Sequence, residues 1–108
     1  MHSIQPFLDM SGYKPKTSFW SDFEMSNAFG KKAVEDTFNR AFEEWKTNTE
    51  YLTELVLVLN WQMWMWHDLG DDDMGMLYSD LWEKAGQWAM DNLKDDDLKY
   101  FLHTNKKD

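Results

Sequence analysis

The apolar positions of this chain recur with the spacing of helices. Val34, Phe38, Ala41, Phe42 and Trp45 fall at i, i+4, i+7, i+8 and i+11. At one residue per 100° they make a stripe about 100° wide, the width of a helix with one buried face. Lys31, Lys32, Glu35, Asp36, Asn39 and Glu43 lie largely outside it, so the pattern predicts a helix over about Lys31 to Lys46. The next run differs. Leu52, Leu55, Val56, Leu59, Met63 and Trp66 cover one side, while Leu57, Val58, Trp61, Trp64 and Met65 cover much of the other. A helix apolar almost all round is buried on several sides. This one, about Glu50 to Leu69, is either the centre of a bundle or part of an intermolecular contact. Its β-branched residues suit a strand, but its length and lack of Gly or Pro favour a helix. A further helix, about Asp73 to Leu93, gathers Met74, Leu77, Tyr78, Leu81, Trp82, Ala85, Trp88, Ala89 and Leu93 on one broad face. Trp45, Trp82 and Trp88 lie on these stripes and read as core.

The residues between the stripes set the boundaries. Pro6, Gly12 and Pro15 break any helix over residues 1–18, which read as an extended N-terminal arm that Phe7, Leu8 and Tyr13 could pin to the domain. Ser21-Asp22-Phe23-Glu24 has the form of a capping box and predicts a short helix ending near Gly30, with Phe19 and Trp20 just outside it. Thr47 and Glu50 make a second such candidate. Gly70 suits the end of the middle helix, and Asp71, Asp72 and Asp73 suit the start of the next. Asp95, Asp96 or Asp97 could cap a last short helix carrying Leu98, Phe101 and Leu102. The expectation is an all-α fold, a compact bundle of three main helices with short flanking helices, formed by residues 19–108 as a single domain.

Composition changes this picture in two ways. The chain has 108 residues and no cysteine. That length fits one domain with its own core. The lack of cysteine excludes disulfides, thiolate metal sites and cysteine nucleophiles, and suits a reducing compartment. No basic segment followed by an apolar one opens the sequence, and no run approaches the ~20 apolar residues of a membrane span. The expected location is cytoplasmic. The net charge of −9 is uneven. Residues 70–97 hold nine Asp and Glu against Lys84 and Lys94, whereas Lys99, Lys106 and Lys107 oppose only Asp108 beyond Leu98. An acidic domain repels phosphate backbones, so direct nucleic-acid binding is not expected. Either a protein partner with a basic surface is implied, or the charge keeps a Trp-rich surface soluble.

Candidate chemistry is sparse. The Asp cluster fits no calcium loop in either register, because Gly75 at position six puts Gly70 and Met74 at ligand positions, and Gly70 there puts Met65 first. Weak surface binding of cations and simple capping stay open, with capping the better account. His2, His67 and His103 have no helical mate at i, i+4, so no metal site is expected. No phosphate-binding glycine loop or nucleophile elbow is present. Carboxylate pairs such as Glu43 and Glu44 are too common to point to acid–base chemistry. No enzyme activity and no cofactor are expected. Thr53, Asn60 and His67, seven residues apart, form a polar line on the apolar helix. The line is either a seam that sets the register of a helix contact, as a buried Asn does in coiled coils, or a solvent-facing edge. Among seven tryptophans, Trp61 and Trp64 stand on the second side of that helix and Trp20 at a loop edge. Left uncovered, these three would be interface anchors.

Several segments carry a resemblance: Phe19-Trp20-Ser21-Asp22-Phe23, the run Ala33 to Lys46, Tyr51 to Val56 with Leu59-Asn60-Trp61, and Leu81-Trp82-Glu83. From about Phe19 to Phe101 the chain resembles a group of small acidic proteins encoded by phages and conjugative elements of gut bacteria. The group carries no assigned chemistry, so the resemblance implies a setting and no site residues. The N-terminal arm and the Asp71–Asp73 loop are where the chain would depart most from the group. The setting is that of an accessory protein of a mobile element, where small acidic inhibitors of host nucleic-acid machinery, anti-CRISPR proteins among them, are common. Two readings follow. In the first, Asp71, Asp72, Asp73, Asp80, Asp95, Asp96 and Asp97, with Trp20, Trp61 and Trp64, contact the basic groove of a CRISPR effector or another nucleic-acid enzyme. In the second, the chain is an assembly module that forms a homodimer through its middle helix.

Overall fold

The computed structural model of the chain describes residues 15–105, so the packing expected of Phe7, Leu8 and Tyr13 lies outside the described residues. Among the described residues five helices follow one another: α1 (Phe19–Asn27), α2 (Lys31–Trp45), α3 (Thr49–Asp68), α4 (Asp72–Asn92) and α5 (Asp95–Thr104). No strand occurs among the described residues. The fold is all-helical, with a Cα radius of gyration of 13.1 Å.

The apolar circumference of α3 has a direct cause. This helix touches all four others, and its longest contact is with α4. Every residue from Leu52 to Leu59 is buried. Phe23 of α1, Phe38 and Phe42 of α2, Tyr78, Ala85 and Ala89 of α4 and Phe101 of α5 complete the core around it. Ring pairs fix the packing. Phe38 stacks on Phe42 at 5.3 Å, and Phe23 meets Tyr78 edge-on at 5.7 Å.

The turn from α3 to α4 uses three residues. Gly70 takes φ +83°, a left-handed conformation that costs a side-chain-bearing residue energy. Its N–H reaches the carbonyl of His67 at 3.0 Å, and Asp71 N–H reaches that of Trp66 at 3.0 Å. These two bonds make a Schellman motif, which closes the helix end. The Asp71 carboxylate then accepts Met74 N–H at 3.1 Å and so caps α4.

Three local expectations are corrected. Ser21 does not open α1. The helix starts at Phe19 with Ser18 at the N-cap position, because Phe19 is buried against Tyr51, with ring centroids 6.2 Å apart, and this burial draws the first turn inward. The cap of α3 is Asn48 rather than Thr47, its side chain accepting Tyr51 N–H at 3.1 Å. Asn is at least as good a cap as Thr, so one place of slippage costs nothing locally. Trp82 is not core but 36% exposed. It sits about 60° from the centre of the stripe made by Tyr78, Leu81, Ala85 and Ala89. Trp88, displaced the opposite way, meets the Phe42 ring of α2 edge-on at 5.9 Å and is half-buried.

Candidate functional site

The acidic residues are sorted by α4. Asp72, Asp73, Asp80, Glu83 and Asp91 are all exposed. At 100° per residue they fall within an arc of about 100°, opposite the buried stripe. The helix has 21 residues and so runs for about 31 Å. Asp95, Asp96 and Asp97, also exposed, fill the first turn of α5 just past its far end; contrary to expectation none of them caps it, since Lys94 holds the N-cap position and no side chain bonds there. The two Asp triplets thus stand at opposite ends of α4, joined by carboxylates along its outer face. Lys84, at the border of the arc, holds its ammonium 5.8 Å from the Phe38 ring, on the α2 side. Lys31 lies 3.8 Å from Asp73 across exposed surface, a pairing too solvated to neutralise the end of the stripe.

The Asp71–Asp73 corner is a helix start. Asp71 caps it, and Asp72 and Asp73 occupy the first turn, where partial positive charge favours carboxylates. Among the described residues no group of three His, Cys, Asp or Glu is arranged to hold a metal ion. Next to the corner, His67 Nδ1 lies 3.3 Å from Asp72 Oδ1, and the Trp64 ring stands edge-on to His67 at 6.3 Å. Trp64 is 44% exposed, so it is the aromatic that the fold sets beside acidic surface. Trp61 is half-buried one turn earlier. Trp20, on α1, packs half-buried against the core with its indole N–H enclosed and unbonded.

The polar line on α3 lies at contacts within the chain. Thr53 is fully buried, its hydroxyl donating to Thr49 O at 2.6 Å and its carbonyl accepting Asn105 Nδ2 at 3.3 Å. Asn60 is half-buried. The His67 ring lies directly over Gly75 of α4, where a Cβ would come within 2.6 Å of it.

Sequence reasoning missed the most enclosed polar groups. Glu54, 1% exposed, accepts Lys16 N–H at 2.7 Å on one oxygen and Thr17 N–H at 2.9 Å on the other, and the Thr17 hydroxyl also donates to it. An acid inside an otherwise apolar run was the available signal. A second chain of bonds links three helices: Tyr78 O–H donates to Asn27 Oδ1 at 2.5 Å, and Asn27 Nδ2 donates to Gln62 Oε1 at 3.0 Å. Burial pushes the Tyr78 phenol well above the usual tyrosine range, against the lowering effect of its bond to Asn27. Between α1 and α2 a crease of about 390 Å³ is lined by Phe19, Asp22, Ser26, Arg40, Glu44 and Trp45 among others. Its Ser26 and Thr37 hydroxyls bond to each other. No helix among the described residues is long and apolar enough to cross a membrane. No family model matches the chain, and neither a curated protein nor a solved structure is similar to it.

Proposed function

We propose that this chain is a small acidic accessory protein of a mobile genetic element. It acts in the cytoplasm by binding and inhibiting a host protein that handles nucleic acid, in the manner of anti-CRISPR proteins. The observation that carries the reading is the outer face of α4, where Asp72, Asp73, Asp80, Glu83 and Asp91 share one exposed arc. Such a face presents carboxylates along a line, as a strand presents phosphates, and suits a basic groove. Asp95, Asp96 and Asp97 extend the line, and Trp64 supplies an aromatic anchor beside its first end. The resemblance of residues 19–101 to phage and conjugative-element proteins supplies the setting. No chemistry and no cofactor are needed for this role.

Individual exposed ion pairs are worth about 0–1 kcal/mol, so the face contributes steering and specificity more than raw affinity. Asp73 and Asp80 are about 10 Å apart along the helix, close to the screening length at 0.1 M salt. Binding should therefore weaken sharply with added salt. Self-association through α3 has less to rest on, because Leu52 to Leu59 are already covered by the chain's own helices.

The test is capture from nuclease-treated bacterial lysate, read by mass spectrometry. Recovery of a basic nucleic-acid enzyme that is released by added DNA or RNA is the expected outcome. Recovery of the bait alone, or of partners indifferent to nucleic acid and salt, would overturn the reading.

A further inference from the structure

We infer that residues 15–17 form a releasable strap whose latch is the Glu54 carboxylate, a local device that opens without unfolding the helices. The strap crosses from α3 to α5. Both oxygens of Glu54 hold it, one through Lys16 N–H and the other through Thr17 N–H and hydroxyl. The Thr17 hydroxyl oxygen in turn accepts Phe19 N–H at 3.2 Å, so the latch also fixes the first turn of α1. On the α5 side the Lys16 ammonium donates to Tyr100 O–H at 3.2 Å and stands 3.7 Å from Glu50.

Two features make this a strap rather than another core contact. Pro15 to Thr17 lie outside every helix and their side chains are exposed or half-exposed, whereas Ser18 begins α1, its carbonyl accepting Asp22 N–H at 2.9 Å. Three of the hydrogen bonds that hold the strap fall on the Glu54 carboxylate. That carboxylate sits on α3 within a fully buried stretch, where hydrogen bonds to charge are strong and their loss is costly. Opening the latch frees the strap while Leu52, Leu55 and Leu59 keep their packing.

Limited trypsin digestion of the full chain tests this, comparing cutting after Lys16 with cutting after Lys46 and Lys84. Glu54→Gln and Glu54→Ala should speed cutting after Lys16 about tenfold or more, since losing one hydrogen bond to a charged group exceeds the ~1.4 kcal/mol that a factor of ten requires. Cutting after Lys46 and Lys84 should keep the wild-type rate. Thr17→Val, which leaves Glu54 in place, should give a smaller increase confined to the same bond. It keeps the test open if Glu54→Ala does not fold. Equal acceleration at all three sites would show that Glu54 supports the whole fold and no separate strap exists. Unchanged cutting after Lys16 in Glu54→Gln and Thr17→Val would show that the carboxylate is not the latch.

Discussion

Two glycines on α4 should respond in opposite ways to the same substitution. Gly86 lies in the interior of the helix, and a Cβ there would meet nothing within 4 Å. Replacing Gly with Ala in a helix interior gains about 0.5–1 kcal/mol, because the unfolded chain loses freedom. For a domain of this size that is a rise in Tm of roughly 2–4 °C. At Gly75 a Cβ would stand 2.6 Å from His67 Cε1 and 2.8 Å from both ring nitrogens. Carbon atoms pack at about 3.5–4.0 Å, so the ring must move by an ångström or more. Moving it breaks the contact with Asp72 at 3.3 Å and the edge-on packing against Trp64. Overpacking of this kind costs about 1–3 kcal/mol, which outweighs the helix gain. Gly75→Ala should therefore be less stable than Gly86→Ala by about 1–3 kcal/mol, the overpacking cost that only Gly75 carries. The assay is urea unfolding followed by far-ultraviolet circular dichroism, with unchanged slopes and shifted midpoints. In a His67→Ala background the cost of Gly75→Ala should disappear, because the obstructing ring is gone. If Gly75→Ala stabilises as much as Gly86→Ala, or costs the same with and without His67, the close α3–α4 contact is misread.

Other outcomes follow from single contacts. Asn48→Ala removes the cap on Tyr51 N–H and should cost about 1 kcal/mol in the same urea assay. Tyr78→Phe leaves Asn27 Oδ1 without its donor and should cost about 1–2 kcal/mol at pH 8. The Tyr78 phenol holds its proton more tightly folded than unfolded, so its contribution is complete below about pH 10 and declines as pH rises above that. The gap between wild type and Tyr78→Phe should accordingly narrow or reverse between pH 8 and pH 11, and a constant gap would contradict the burial of that hydroxyl. Phe38→Ala, which empties a fully buried ring site stacked on Phe42, should cost about 3–5 kcal/mol by the same measurement.

Much of the fold was legible in the apolar periodicity. The stripe of Val34, Phe38, Ala41 and Phe42 is buried as its spacing requires, and the two-sided apolar helix is central because four neighbours surround it. What failed was decided by packing at a distance. Trp82 and Trp88 lie equally far from the centre of the buried stripe on opposite sides, and the contact with α2 leaves Trp88 half-buried and Trp82 exposed. Ser21 and Thr47 are sound caps in isolation, but the burial of Phe19 and the better hydrogen bond of Asn48 moved both boundaries. Glu54 was invisible as a site, since its partners lie 37 and 38 residues away in a segment without periodicity. The acidic stripe sits between these cases. Its charge was countable in the sequence, while its one-sidedness depended on which face of α4 the core took.

The central claim is that the outer face of α4 recognises a basic partner. Asp80→Lys, Glu83→Lys and Asp91→Lys together reverse the middle of that face without touching a buried residue or a cap. The direct measurement compares this variant with wild type in the nuclease-treated capture, at low and moderate salt, after circular dichroism has shown equal helix content. The account predicts that the partner released by DNA or RNA from the wild-type protein is lost from the variant at both salts. Undiminished capture by the charge-reversed protein would contradict it.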